Sequence, residues 1–219
     1  MNRELDDYFF DLRGYFALEQ AISPEMVAAI NAAIDAFPPL EPGEWHGHVQ
    51  RQAHVAQRGI NYQNIVEGGS VFEELIDHAS WIDYVRRYVG AIDGLFIDEA
   101  FFNIRGPGQA IMKVDYADLM DTSMDGVEAS IEIHMRAGDA ILFVDSLAHG
   151  SARRTRDGER RILVYRYSPR WGNTRFGYRP SDALLKRLTP ERRQIIQPIE
   201  PRAETLGGSV KTGADPTAG

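Results

Sequence analysis

The chain has 219 residues, no cysteine and a formal net charge of −8 at pH 7. That length suits one domain around a single core, and without cysteine there is no disulfide framework, thiolate metal site or cysteine nucleophile. The acidic balance argues against nucleic-acid binding as the main function. Since the N-terminus does not read as a signal peptide and no apolar run reaches membrane-spanning length, we expect a cytoplasmic protein without a membrane partner.

The first half of the chain predicts mainly helices. Ser23 and Pro24 have the residue types of a helix N-cap and first helical position, and apolar residues follow at helical spacing until Pro38 ends the helix. The other elements predicted here are a strand at 14–18, helical faces at 72–76 and 81–89, and a strand at 95–104. A turn rich in glycine and proline then ends that strand.

The second half predicts antiparallel strands. Apolar and polar residues alternate from Val127 to Met135, which is the period of a half-buried strand. The remaining predicted elements are a buried strand at 140–144, a hairpin turn at Asp157-Gly158, a strand at 162–167, and helices at 181–188 and 190–196. The polar tail at 201–219 predicts disorder. We therefore predict a single α+β domain over residues 1–200.

One histidine and two arginines carry the chemistry that the sequence predicts. His149 lies just beyond the strand at 140–144, and Arg160 and Arg161 begin the next strand across the hairpin. Imidazole is a good ligand for a divalent first-row metal, and a buried guanidinium offers a rigid fork for a carboxylate. A metal ligand together with a carboxylate clamp is what chelation of a 2-oxo acid requires.

The motifs around these residues resemble the phytanoyl-CoA dioxygenase family of Fe(II)/2-oxoglutarate-dependent oxygenases. The matching segments are Gly138-Asp139, Phe143, His149-Gly150-Ser151, Arg160, the strand at 165–169, Phe10 to Tyr15, and Phe101 to Gly106. The resemblance implies a double-stranded β-helix, or jelly roll, with flanking N-terminal and C-terminal helices. It also implies an enzyme that hydroxylates a small-molecule substrate with Fe(II) and the co-substrate 2-oxoglutarate.

The resemblance assigns a role to each of the three residues. His149 matches the distal iron ligand, and Arg160 matches the residue that pairs with the distal carboxylate of 2-oxoglutarate. Arg161 is the alternative clamp, because neighbouring side chains on a strand point to opposite faces and the sequence does not show which one faces inward.

The first half of the family's metal site is missing from this sequence. In the family two ligands come as His-x-Asp or His-x-Glu on an earlier strand, but none of the six histidines is followed two residues later by an acidic residue. Only an acidic loop at 113–126 separates Met112 from the predicted strand at Val127, and this is too short to supply the strands of a jelly roll. We therefore predict an incomplete jelly roll, with a contiguous segment absent at Met112/Lys113.

Alternative interpretations stay open at this point. A metal site rebuilt from His46 and His48, which are two residues apart, would take its carboxylate from the acidic loop. A second alternative is a catalytically inactive remnant or scaffold of the family that binds a carboxylate at Arg160. A third is a jelly roll outside the oxygenases, either a metal-dependent isomerase or a small-molecule-binding protein. Gln63 and Asn64 are predicted to line the site. An aromatic cluster predicted either to pack as a lid or to form a substrate wall comprises Trp171, Phe176 and Tyr178.

Overall fold

The structure, a computed structural model, describes residues 3–53, 59–90, 94–109, 111–113, 130–152, 154–169 and 180–197. The helices are α1 (Arg3–Arg13), α2 (Pro24–Asp35), α3 (Ser70–Glu73), α4 (Ile82–Tyr88), α5 (Asp182–Arg187) and α6 (Pro190–Ile196). The strands are β1 (Tyr15–Leu18), β2 (Trp45–His46), β3 (Val49–Arg51), β4 (Ile60–Gln63), β5 (Leu95–Arg105), β6 (Ile111–Lys113), β7 (Ala140–Phe143), β8 (His149–Ser151) and β9 (Arg160–Pro169). None of the helices in this part of the chain is long and apolar enough to cross a membrane.

The described strands form antiparallel sheets. The largest has five strands in the order β2-β3-β4-β5-β9, and its longest pairing joins β5 to β9 over most of their lengths. Elsewhere β1 pairs with β7, and β6 pairs with β8. The predicted α+β class is therefore confirmed, whereas the jelly roll and its incompleteness stay predictions.

One face of the five-stranded sheet carries the hydrophobic core. Tyr62 on β4 stacks on Phe102 on β5 with ring centroids 4.6 Å apart, and both residues are buried. α2 contributes Ile30 and Ile34 to the same core, and α6 packs against β5 and contributes Ile196. Removing these apolar side chains from water is the main favourable term in holding the helices on this face of the sheet.

A second set of β5 side chains lies on the opposite face of the sheet. A bulge between Ile97 and Glu99 shifts the register, and the pairing is regular from Glu99 onward. Glu99, Phe101, Asn103 and Arg105 therefore share one face, because alternate residues of a strand point to the same side. Their cross-strand partners on β9 project to the same side, because directly opposed residues of an antiparallel pair do so. We call this side the inner face, since the helices pack on the other one.

Several sequence predictions are confirmed by these elements. Ser23 caps α2 as predicted and accepts a hydrogen bond from the backbone N–H three residues on; the structure shows the same kind of cap at Thr189 on α6. The turn predicted at Asp157-Gly158 lies between β8 and β9, and Gly158 has a positive φ of +81°. These strands pair with β6 and β5 and not with each other, so the described residues form a turn there but not the predicted hairpin. The short strands β2, β3, β4, β6 and β8 were not predicted, and the tail at 201–219 lies outside the described residues.

The strand predicted from Val127 to Met135 is wrong over the part that the structure describes. Residues 130–136 form no strand, and Ile131 is 72% exposed. The alternation is that of a strand, but an amphipathic strand is stable only where a neighbouring strand satisfies its backbone groups. Within the described ranges no strand lies beside this segment, and 127–129 fall outside them.

Candidate functional site

A buried arginine and a half-buried arginine are cross-strand neighbours at one end of the inner face. Arg105 ends β5 and is the direct cross-strand partner of Arg160, the first residue of β9. Only 6% of Arg105 is exposed. Among the described residues, no group accepts a hydrogen bond from Nε and Nη1 of Arg105 or from Nε and Nη2 of Arg160, although these atoms are buried.

This pair of cations is electrostatically costly unless an anion joins it. Burial, and then the charge of Arg160, lower the pKa of Arg105 to about 10. Burial also lowers the pKa of Arg160, with a smaller contribution from the charge of Arg154. Buried charges in proteins are normally paired, and guanidinium matches a carboxylate through two parallel hydrogen bonds. The pair therefore fits the carboxylate of a small ligand.

The backbone around Arg105 fixes where its side chain begins. The turn that follows β5 is closed by Gln109, whose side-chain oxygen accepts a hydrogen bond of 2.8 Å from the N–H of Gly106. On the other side Gly59 has φ +81°, and a Cβ there would lie 2.3 Å from the carbonyl oxygen of Ile104. Only glycine allows the chain entering β4 to come this close to the end of β5.

Polar groups continue along the inner face beyond the arginine pair, among apolar side chains. Asn103 donates from Nδ2 to the carbonyl oxygen of Ile60 at 3.0 Å, while its Oδ1 is buried without a partner among the described residues. Farther along, Arg166 pairs with Asp98 and with Glu99, each at 2.8 Å. The same face carries Phe101 and its cross-strand partner Val164. A face that combines apolar side chains with a few polar groups is suited to binding a small ligand.

The two residues predicted to line the site lie in different environments. Gln63 lies at the end of β4 opposite Phe101, and its Nε2 is 3.2 Å from Oε1 of Glu99, so it belongs to the inner face. Asn64 has a left-handed backbone with φ 62°, and its amide donates to the carbonyl oxygen of His48 at 3.2 Å. Gln63 therefore stays a candidate lining residue, whereas Asn64 holds the adjacent turn in place.

His149 is the first residue of β8, and its ring is held in a defined orientation. Nδ1 lies 2.6 Å from the carbonyl oxygen of Leu147, so Nδ1 carries the proton and donates to that oxygen. The lone pair of Nε2 is then available, as in metal-binding histidines whose other ring nitrogen donates to a carbonyl. The ring also contacts Phe143 edge-on, with centroids 4.8 Å apart.

The described residues do not complete an iron site around His149. β6 pairs with β8 so that Lys113 lies opposite His149, and β6 continues through the Met112/Lys113 junction where the missing segment is predicted. An iron site of this type takes two histidines and one carboxylate. Within the described part of the chain no three His, Asp or Glu side chains are grouped to hold a metal, and 114–129 lie outside it.

The alternative ligands His46 and His48 lie in a different sheet from His149. His46 is on β2, His48 is in the turn before β3, and both are exposed. The carboxylates of the acidic loop that would complete that alternative site lie outside the described residues, as does the predicted aromatic cluster.

Arg161 faces the opposite side of the sheet from Arg160. Its Nη2 lies 2.6 Å from a carboxylate oxygen of Asp35 and 3.1 Å from one of Glu159, and its Nη1 donates to Asn31 at 3.1 Å. The hydrogen bond to Asp35 is the main reason that the pKa of Arg161 is raised. Its guanidinium therefore ties β9 to α2, and Arg160 is the arginine left for a ligand.

Arg105 is the site residue that the sequence did not reveal. It lies at the end of the predicted strand, immediately before a glycine- and proline-rich turn, where a cation reads as an ordinary solvated residue. Its role follows from the register between β5 and β9, which sets it against Arg160.

The fold is that of Fe(II)/2-oxoglutarate-dependent oxygenases of known structure. The structure of HygX from Streptomyces hygroscopicus with nickel and 2-oxoglutarate bound matches with a TM-score of 0.59 at 16% identity, over 77% of this chain and 87% of HygX. HygX with nickel, 2-oxoglutarate and hygromycin B matches with a TM-score of 0.59 at 15% identity, over 77% and 88%. A 2OG-Fe(II) oxygenase family oxidoreductase from Burkholderia pseudomallei matches with a TM-score of 0.50 at 20% identity, over 77% and 91%.

These identities establish the fold alone. No protein-family model matches the chain, and no curated protein sequence matches it. The resemblance to the phytanoyl-CoA dioxygenase family therefore stays a prediction. The solved HygX structures contain 2-oxoglutarate together with nickel, or iron by itself, and these are consistent with the Fe(II) and 2-oxoglutarate that the resemblance implies for this chain.

Proposed function

We propose that the chain is an Fe(II)/2-oxoglutarate-dependent oxygenase-like protein of the phytanoyl-CoA dioxygenase family, with a jelly-roll fold and a small-molecule substrate. The observation that carries this proposal is the cross-strand pair of Arg105 and Arg160. Two buried guanidinium nitrogens of each arginine have no hydrogen-bond partner among the described residues. The oxygenase fold of HygX supports it, because that protein binds 2-oxoglutarate in the solved structure.

In this proposal the two arginines hold the distal carboxylate of 2-oxoglutarate. Arg160 donates from Nε and Nη2, which lie on one edge of its guanidinium and form a two-hydrogen-bond fork. Arg105 adds a second positive charge from the neighbouring strand. The carboxylate relieves the repulsion between the two cations, so ligand binding and the local electrostatics favour each other.

His149 is the described residue proposed to bind the metal, through Nε2. The carbonyl oxygen of Leu147 keeps Nδ1 protonated and fixes the ring orientation that a metal ligand needs. Iron, when bound, would supply the activation of dioxygen.

A second candidate function is a carboxylate-binding protein of the same fold that does not hold iron. Two observations favour it. The strand position opposite His149 is taken by Lys113, and no three-donor group occurs within the described ranges. In this case the arginine pair would still bind 2-oxoglutarate or a related dicarboxylate.

The first test measures 2-oxoglutarate binding by isothermal titration calorimetry without metal. Replacing Arg160 with Met removes a charge-assisted fork, so we expect affinity to fall by at least about thirtyfold. Arg161→Met is the matched control: it removes the neighbouring guanidinium from the other side of the sheet, and affinity should stay within about twofold, as expected for a charge outside the site. Equal losses in both variants would contradict the assignment of Arg160.

The second test separates the two candidate functions. Anaerobic titration of Fe(II) in the presence of 2-oxoglutarate should give the weak visible charge-transfer band of the chelate, and His149→Ala should abolish it. If 2-oxoglutarate binds but no band appears, the carboxylate-binding function is the correct one. If 2-oxoglutarate does not bind to the folded protein, both candidate functions fail.

A further inference from the structure

An exposed extended segment, residues 130–136, has no covering element among the described residues. Ile131, Ile133 and Met135 are 72%, 39% and 40% exposed, and they alternate with polar residues. Nε2 of His134 lies 3.4 Å from a carboxylate oxygen of Glu132. Side chains two residues apart reach one another in this way when the chain is extended, because they then share a face. The segment therefore has an apolar face and a polar face, as a strand does.

The C-terminal end of this segment is fixed to the body of the protein. The carboxylate of Asp139 accepts hydrogen bonds from the N–H of Arg136 at 2.7 Å and from the N–H of Gln20 at 2.8 Å. The carbonyl oxygen of Gly138 accepts from the N–H of Ile22 at 3.0 Å. The segment thus leaves a firmly held turn, and no strand of the described residues pairs with residues 130–135, whose apolar side chains are exposed.

The sequence of the segment is complementary to itself when two copies run antiparallel. With Ile133 opposite its own copy, Glu132 lies opposite His134 on the polar face. On the apolar face Ile131 lies opposite Met135. Each Glu–His pair brings a carboxylate to an imidazole N–H, and two symmetric pairs form at once. Opposed pairs of this kind are the unit of stability in an antiparallel ladder.

Two neighbouring registers keep the apolar residues on one face, and both are less favourable. Centring the pair on Glu132 would set two carboxylates opposite each other. Centring it on His134 would set Glu132 opposite Arg136, but Ile131 would then lie opposite Ala137 in the turn that ends the segment. Of these three registers, only the one centred on Ile133 sets all three apolar residues of the segment opposite one another.

We propose that residues 130–136 pair with the same segment of a second copy of this chain, forming an antiparallel two-stranded junction centred on Ile133. The pairing completes the backbone hydrogen bonds of the segment and buries its three apolar side chains against those of the partner copy. It also explains why residues 130–136 alternate apolar and polar side chains as a strand does, although no described strand of the same chain pairs with them. This inference is independent of the oxygenase proposal, since it uses no residue of the arginine pair.

Analytical ultracentrifugation of the full chain over a concentration series tests the association. The expected result is a monomer–dimer equilibrium. Ile133→Lys sets two cations against each other on the two-fold axis and should leave only monomer. Leu5→Lys, at an exposed apolar position of α1, is the matched control and should dimerise as the unaltered chain does. An unaltered chain that stays monomeric at every concentration, or an Ile133→Lys variant that associates equally well, would overturn the proposal.

A charge swap tests the register. His134→Glu sets two carboxylates against each other at both symmetric positions of the pair, which should weaken the dimer by about tenfold or more. The double variant E132K/H134E restores two opposite-charge pairs and should recover dimerisation. Recovery is not expected for any surface at which Glu132 and His134 do not meet across copies, so its failure would refute this register.

Because the chain has no cysteine, a single introduced cysteine gives a direct readout. Ile133→Cys places two thiols opposite each other on the two-fold axis and should form a disulfide-linked dimer under mild oxidation. Leu5→Cys is the control for collisional cross-linking and should react much more slowly. Equal rates for the two variants, or cross-linked species larger than a dimer, would contradict the symmetric pairing.

Discussion

Replacing Arg105 with Met should stabilise the ligand-free protein and abolish the additional stabilisation that 2-oxoglutarate binding gives. Methionine keeps an unbranched apolar stem like that of arginine but carries no guanidinium, so it removes the repulsion with Arg160. At an anion-binding site a buried cation destabilises the ligand-free fold, and the bound anion offsets this destabilisation. Removing the cation should therefore stabilise the ligand-free protein, which makes this substitution a direct test of the anion site.

The expected magnitude follows from the pKa of Arg105. Burial and the charge of Arg160 lower its pKa to about 10 in the folded chain, well below that of a solvated guanidinium. Each tenfold change in proton affinity corresponds to about 1.4 kcal/mol, so holding this charge costs roughly 3 kcal/mol at neutral pH. The sign is that of a base with a lowered pKa: the cost is fully present below pH 10 and fades as the pH rises above it. We expect the variant to gain about 1 to 3 kcal/mol in free energy of unfolding.

Urea denaturation with and without 2-oxoglutarate measures both effects. For the unaltered chain, ligand at one hundred times its dissociation constant should add about 2.7 kcal/mol. Without ligand, the Arg105→Met variant should have a higher free energy of unfolding than the unaltered chain. Adding 2-oxoglutarate should raise it by much less. Arg161→Met is the control, since it loses only partly exposed ion pairs with Asp35 and Glu159 and should cost at most about 1 kcal/mol. If the ligand-free Arg105→Met protein is less stable than the unaltered chain, then the two arginine charges do not destabilise the ligand-free fold and the reasoning is refuted.

Three further predictions concern the frame of the site. Arg166→Met should lower the free energy of unfolding by about 3 to 5 kcal/mol in urea denaturation, because it leaves the buried carboxylates of Asp98 and Glu99 unpaired; a loss below about 1 kcal/mol would contradict this. Ser23→Ala should cost about 1 kcal/mol in the same assay through loss of the α2 cap, and Ser23→Asp should restore it. Burial lowers the pKa of His78, so the unfolded chain takes up its proton first and stability should fall as the pH drops below 6.5; His78→Gln should flatten that slope in pH-dependent thermal unfolding.

The regular elements were largely readable because local chemistry decides them. The N-cap at Ser23 satisfies backbone donors of its own helix, and the turn at Asp157-Gly158 needs a positive φ that glycine supplies. The segment from Val127 to Met135 shows that a local pattern alone does not predict whether a strand forms. Its period is that of a strand, but a strand needs a partner, and the described residues place none beside it.

Half of the candidate site could likewise be read from the chain and half could not. His149 and Arg160 stood in a recognisable string, but which of Arg160 and Arg161 faces inward depends on the side of the sheet that the helices cover. Asp35 on α2 holds Arg161 and so leaves Arg160 on the inner face. Arg105 is distant in sequence and carried no signal that singled it out.

The sequence by itself determined most of the helices, the turns and the α+β class, because caps, periods and turn residues act over a few neighbouring positions. It also supplied two candidate site residues, His149 and Arg160, through a local run of motifs. Only the tertiary structure decided the pairing of Arg105 with Arg160. That pairing depends on the register between β5 and β9, which is set by a bulge near Glu99 and by the packing of helices on one face. Register is a property of two strands together, so no single stretch of the chain encodes it.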